Sequence, residues 1–295
     1  MTKTDTTLSS TTKTKNQSHI KATSLTSMIT LNHKNYYDHD TDFQYMSPSV
    51  FKQMMACEAA ELALLKGDYE QSNKDALLVG NFVHSFFESD EAHRKFIDEH
   101  PKIISTRGAS KGHLKANFKI GEQMIDRLCD EQLFTNMDNT CEHEVIVTGK
   151  LFGYDWKGKI DALNVEQGFF MDYKTVDDIR KRSWSDKYRG MVDFVRARDY
   201  LPQMWVYSQL LEQKYGKPFK CFIWAVSKQT PSDVQLISPS SYWLEPEELW
   251  IKEHIDHIEQ VMTGEVSPKA CEHCEYCREH KTITSAIDVG EILAE

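Results

Sequence analysis

The chain has 295 residues, 40% of them hydrophobic, enough for one large domain with a full core. No run approaches the roughly 18 to 20 apolar residues of a membrane span, and the amino terminus lacks a signal-peptide core, so a soluble, cytoplasmic protein without a membrane partner is expected. A net charge of −10 argues against nucleic acid held by charge over the whole surface, although the basic residues are clustered. Seven cysteines in a cytoplasmic chain point away from a disulfide framework, because that compartment keeps thiols reduced.

Residues 1 to about 27 are Thr, Ser and Lys with few large apolar side chains, too few to offset the entropy of ordering. We expect a disordered tail that excludes all of 1–40 from a single folded domain over 41–295. MSPSVFKQMMACEAAELALLKG then reads as a helix, with Ser47 as N-cap, Pro48 in the first turn, and Val50, Met54, Met55, Leu62 and Leu65 at helical spacing. Further helices are expected over ALLVGNFVHSFFES and KGHLKANFKIGEQMIDRLCDEQLF. Arg107, Lys111, Lys115 and Lys119 recur every fourth residue, one basic helix face that could meet DNA. Arg180, Lys181 and Arg182 open a second basic stretch; either stretch reads equally well as a solvated surface.

The pattern then turns to strands. Residues 144–148, 154–164 and 168–174 are β-rich and broken by Gly149, Gly153 and Gly168, which predicts an antiparallel meander. An irregular basic segment follows, then a helix over 202–215 with Gln203 and Tyr207 one turn apart, a buried strand in FKCFIWAVS, and an amphipathic helix in PEELWIKEHIDHIEQVMTG. The order implies an α/β domain with a helical N-terminal part.

The chemistry concentrates in GKIDALNVEQGFFMDYKT. Asp161 falls near the end of one strand, and Asp172 and Lys174 lie two apart on the next, hence on one face. Paired strands would bring two carboxylates and an ammonium together. Carboxylates that close repel one another unless a cation neutralises them, and a hard divalent metal suits oxygen ligands. The bland alternative is a pair of turn and strand-end acids, one of them bridged to Lys174.

Two more motifs flank this unit: GNFVHSFFE, with Gly80, His84 and Glu88 on one helix face, and QMWVY, with Gln203 and Tyr207. In this order the four motifs resemble the RecB-like branch of the PD-(D/E)xK nucleases, with Ile160 standing where the superfamily's name has proline. The resemblance implies a restriction-endonuclease-like α/β core, a mixed central sheet flanked by helices. It implies that His84, Asp161, Asp172 and the Tyr173 backbone carbonyl hold Mg²⁺ or Mn²⁺, that Lys174 is the catalytic lysine, and that Gln203 and Tyr207 touch the DNA strand or brace the site. Within the branch the chain is most similar to the phage RecE-type exodeoxyribonuclease VIII. That likeness implies 5′-3′ resection of double-stranded DNA ends, a ring-shaped homo-oligomer and a single-strand annealing protein as partner. A RecB-like endonuclease, a CRISPR-adaptation-type nuclease and a non-catalytic DNA-binding scaffold would carry the same motifs.

CEHCEYC places Cys271, Cys274 and Cys277 at a spacing that lets one loop turn three thiolates to a common centre. Cys57 is the candidate fourth ligand. RecB-like nucleases with one upstream and three C-terminal cysteines resemble this arrangement and imply a [4Fe-4S] cluster. Zinc, with His273 or His280 in place of Cys57, and no metal at all stay open.

Overall fold

The computed structural model describes residues 28–71 and 75–291, and the fold below is that of the unit Leu31–Glu295. The expected tail over 1–27 lies outside the described residues. The folded chain starts ahead of residue 41. Tyr36 is buried and its carbonyl accepts a 2.8 Å bond from Lys157 Nζ, which also donates to Thr41 Oγ1 and pairs with Asp42, both at 2.7 Å. A buried ammonium needs oxygens around it, and the polar segment that hydropathy assigns to the tail supplies them, ending in the one-turn helix α1 (His39–Asp42).

The helix expected from Ser47 onward is two helices. Ser47 caps α2 (Pro48–Ala56), accepting from the Val50 amide at 3.2 Å, and Cys57, in extended conformation, separates it from α3 (Glu58–Leu65). Then come α4 (Asp75–Glu88) and α5 (Asp90–Glu99). The basic helix face does not form. Gly108 and Gly112 take left-handed φ values of 65° and 83°, turning residues 107–115 into a loop, and α6 starts only at Ala116 (Ala116–Cys129), followed by α7 (Gln132–Asp138). Lys119 is therefore helical, while Arg107, Lys111 and Lys115 are exposed residues of the loop and helix cap.

The meander forms as expected: β1 (Glu142–Leu151), β2 (Tyr154–Asn164) and β3 (Phe169–Val176) pair antiparallel. Phe152 and Gly153 join the first two with φ of 54° and 92°, the two left-handed residues that a two-residue hairpin turn demands. The basic segment expected to be irregular folds into a small hairpin, β4 (Ser183–Ser185) with β5 (Gly190–Val192), followed by α8 (Phe194–Ala197) and α9 (Tyr200–Tyr215). Strand β6 (Lys220–Ser227) pairs parallel with β3, and β7 (Val234–Ile237), short and half-exposed, adds an antiparallel edge. The chain continues through α10 (Ser241–Thr263) and α11 (Glu275–Glu279).

Among the described residues the main sheet has five strands in the order β1-β2-β3-β6-β7. Phe170 and Ile223 pack against α2, α9 and α10 residues such as Phe51, Met204 and Ile255. On the opposite face Met171 and Tyr173 pack with Val83 of α4 and Met124 of α6. The mixed sheet lies between helical layers, as the sequence leads one to expect. No helix among the described residues is long and apolar enough to cross a membrane.

Candidate active site

The hairpin arithmetic brings three acids into one row. β1 and β2 pair His143 with Ala162 and Val145 with Ile160, so Glu144 stands opposite Asp161. The β2–β3 pairing ends at Ala162 and Met171, one step before Asp161 and Asp172. The ladder is disturbed there: Glu144 has a left-handed φ of 56°, a strained value for a residue with a side chain. The Tyr173 amide donates to Asp161 Oδ2 at 2.7 Å. Ile160 and Leu163 pack in one core and Ala162 in the other, which strict alternation would not allow. The strand turns over at Asp161, and the aspartate reaches the margin between the layers, where α4 presents His84 with Nδ1 3.5 Å from Asp161 Oδ2.

Ligand atoms of His84, Glu144 and Asp161 lie within 4.8 Å of one another. Asp172, 1% exposed, is engaged beside them: Lys174 Nζ is 2.6 Å from its Oδ2 and Gln203 Nε2 donates to its Oδ1 at 2.8 Å. Gln203 Nε2 also contacts the Tyr207 hydroxyl at 3.1 Å. Tyr207 fits because residue 158 is glycine, where a Cβ would lie 2.8 Å from its ring. The Tyr173 side chain turns to the other face, its hydroxyl on Asp138, so only its backbone can serve the site. Lys159, two residues before Asp161, pairs with Glu144 and lies 4.7 Å from the Tyr37 ring centroid.

The electrostatics are those of a site short of positive charge. Burial, then Asp161, push the Glu144 carboxyl up to about 7 although Lys159 opposes them. Burial pushes Asp172 up to about 6 against the pull of Lys174. Asp161 stays below its usual value: burial would raise it, but His84, Lys174 and the Tyr173 amide outweigh burial. Burial would lower Lys174, yet Asp172 and Asp161 hold its pKa above the ordinary lysine value, so it is an ammonium and cannot act as a base. Three carboxylates and one imidazole around a small volume fit a divalent ion that takes oxygen and nitrogen donors.

Residues 47–280 match a family model described as a PDDEXK-like domain of unknown function, DUF3799. The chain belongs to this family. A crystal structure from Eubacterium rectale, described as a "putative exonuclease", is similar over 90% of this chain and 99% of its own, at 32% identity and a TM-score of 0.82. A second solved structure, of SSO0001, is 14% identical with a TM-score of 0.28 over 70% of this chain and 95% of its own. No curated protein matches the chain. Within the PDDEXK-like domain, Asp161, Asp172 and Lys174, the expected acids and lysine, lie together: Lys174 pairs with Asp172, and Asp161 accepts from the amide next to Asp172. Glu144 and Lys159 are the members that motif reading missed. Counting back from the turn at Phe152 and Gly153 puts Glu144 opposite Asp161, and the two-residue strand period puts Lys159 near it.

The cysteines of the PDDEXK-like domain form a second cluster. Cys57, at the break between α2 and α3, and Cys271, Cys274 and Cys277 bring four Sγ atoms within 4.8 Å of one another. Cys277 Sγ is 3.6 Å from Cys57 Sγ and 3.9 Å from Cys271 Sγ. The amides of Cys271, Cys274 and Cys277 point at the sulfurs of Cys57, Cys271 and Cys274 at 3.3 to 3.4 Å. Burial would raise Cys271, but amide hydrogen bonds, that of His273 first, bring it down to about 6. Cys57 is thus the fourth member, not His273 or His280. A tetrahedron with zinc–sulfur bonds of about 2.3 Å has edges of roughly 3.8 Å, which these separations match. Four thiols facing one centre, Cys57, Cys271, Cys274 and Cys277, can hold a tetrahedral ion or an iron–sulfur cluster.

Of the remaining expected residues, Arg180, Lys181 and Arg182 are exposed ahead of the β4–β5 hairpin, with Arg182 donating to the Met191 carbonyl at 2.9 Å.

Proposed function

We propose that this chain is a Mg²⁺-dependent deoxyribonuclease that degrades duplex DNA from its ends, a RecE-type 5′-3′ exonuclease. The observation that carries this reading is the convergence of Glu144, Asp161, Asp172, His84 and Lys174 where β2 and β3 part. His84, Glu144 and Asp161 would hold the ion, with Asp172 and the Tyr173 carbonyl completing its oxygen shell. When bound, Mg²⁺ or Mn²⁺ supplies Lewis-acid polarisation of the scissile phosphate. Lys174, fixed as an ammonium by Asp172, orients the attacking water and stabilises charge developing on the phosphate. Gln203, bonded to Tyr207, fixes the Asp172 carboxylate so that this geometry exists before substrate arrives.

Support for an exonuclease comes from the description of the Eubacterium rectale protein. Arg107, Lys111, Lys115 and Lys119, and Arg180, Lys181 and Arg182, would contact phosphates along the duplex. A homo-oligomer would keep the enzyme on its strand, and an annealing protein would receive the remaining strand. The same reading has the cysteines hold one zinc ion as a clamp between α2 and the C-terminal loop. End-labelled linear duplex and covalently closed circular duplex, each with Mg²⁺ and with chelator, test the reading. We expect label release from linear DNA alone and only with Mg²⁺; cutting of the circle would mean an endonuclease, and no cutting of either would end the nuclease reading.

A further inference from the structure

Helix α2 carries a lysine that the acid row does not account for. Lys52 is half-buried, and among the described residues no carboxylate comes within ion-pair distance of its ammonium. Its Nζ lies 5.3 Å from the centroid of the Tyr200 ring, and Lys174 Nζ lies 4.6 Å from the same centroid. Burial and then Lys174 push the Lys52 pKa down to about 8, with Arg198 acting in the same sense and Asp199 and Asp172 opposing. Two ammonium groups thus converge on the first residue of α9, beside the acid row.

Gathering like charges in a half-buried place costs folding free energy. Tyr200 offers only a weak cation–π partner to each. Lys174 has a carboxylate of its own at 2.6 Å, Asp172; Lys52 has none. An anion entering from solvent would neutralise Lys52, and the polyanion of the proposed reaction carries one phosphate per nucleotide. The position also has a mechanical cause: Lys52 sits five residues before Cys57, which ends α2 and joins the cysteine cluster.

We propose that Lys52 is a phosphate-binding residue of the nuclease site, its ammonium joining Lys174 in gripping a phosphate of the substrate strand. This inference rests on the nuclease reading and extends it by naming a subsite supplied by α2. The phosphate is either an internal phosphodiester beside the scissile bond or the phosphate at the strand's 5′ end, and the chemistry of capture is the same.

The test compares wild type, Lys52→Gln and Lys52→Arg in two assays. In the first, oligonucleotide duplexes with 5′-phosphate or 5′-hydroxyl ends bind the chelated protein, and affinity is followed against salt. Lys52→Gln should flatten the slope of log affinity against log salt by about one unit while Lys52→Arg keeps it, as loss of one phosphate contact requires. Equal flattening for both duplexes assigns an internal phosphate; flattening for the phosphorylated duplex alone assigns the terminal one. In the second, Mg²⁺-dependent digestion by Lys52→Gln should show KM raised about tenfold or more, one charge-assisted contact. Its Tm should be equal or higher, because folding holds this lysine below its free pKa. A digesting wild type whose Lys52→Gln form keeps slope and KM would overturn this inference alone. So would a Lys52→Arg protein that loses the slope. A wild type that neither binds nor cuts DNA would overturn the nuclease reading with it.

Discussion

The acid row and the cysteine cluster each gather metal-binding side chains from distant parts of the chain, and they solve opposite problems. Around the acid row, two carboxyls are pushed up to about 6 and about 7 by burial, and strand β1 takes a left-handed residue at Glu144. Buried carboxyls raised in pKa beside a strained residue are a pattern that gathers at functional sites. In the cysteine cluster three backbone amides already point at sulfur, and all four thiols face one centre. Hard donors at an open margin suit turnover, whereas soft donors in a closed loop suit a fixed staple.

The comparison breaks most sharply if the acid row proves dispensable. Asp161→Asn and Asp172→Asn should each lower Mg²⁺-dependent hydrolysis by about 10³-fold or more, the several kcal/mol expected of a group that binds the ion or aligns the charge. Asp172→Asn should not lower Tm, because burial already disfavours that charge, whereas Asp161→Asn should lower it, because His84, Lys174 and the Tyr173 amide stabilise the ionised Asp161. Single-turnover digestion and thermal melting read the two effects separately. An Asp172→Asn protein that digests DNA at the wild-type rate would remove the catalytic half of the contrast.

For the cysteine cluster the expected loss is of fold rather than of chemistry. Elemental analysis should find one zinc per chain and no stoichiometric iron, in protein without the brown colour of an iron–sulfur cluster. Cys57→Ser should lower Tm by roughly 10 °C, a few kcal/mol in a domain of this size. Iron with labile sulfide in the purified protein would overturn the single-ion assignment.

The same contrast explains what was legible in advance. Strand and helix periods put Asp172 with Lys174 and Gln203 with Tyr207 on shared faces, whereas joining these pairs to Asp161 and His84 rests on the resemblance of four ordered motifs to the RecB-like nucleases. Cys57 could be read because three closely spaced cysteines lack a fourth. Glu144 was within reach only after the turn at Phe152 and Gly153 fixed the register. Lys52 depends on how α2 crosses the start of α9, which no local pattern encodes. The ordered segment ahead of residue 41 was hidden because what holds it is the buried Lys157 on β2, more than a hundred residues away. The basic helix face failed because a four-residue charge period says nothing about the backbone, and Gly108 and Gly112 turn it left-handed.

A smaller effect tests whether Glu144 belongs with the metal ligands. Glu144→Gln keeps the shape and removes the charge, so Mg²⁺ affinity should fall about tenfold or more, at least 1.4 kcal/mol, while a bystander would leave it unchanged. Isothermal titration decides between these outcomes.

The smallest expected effect is a pH dependence whose sign differs with and without metal. Glu144 and Asp172 have folded pKa values of about 7 and about 6, above those of free carboxyls. In chelated protein the stability they contribute is therefore fully present below about pH 4 and lost as pH rises to about 7, so these two groups should lower Tm over that range. Mg²⁺ must displace the same protons. Its affinity should rise over that window, by at most about tenfold per pH unit for each proton released, and titration in buffers of different ionisation enthalpy counts those protons. An affinity independent of pH would mean that the row is already fully ionised, and that the strain at Glu144 needs another cause than a missing cation.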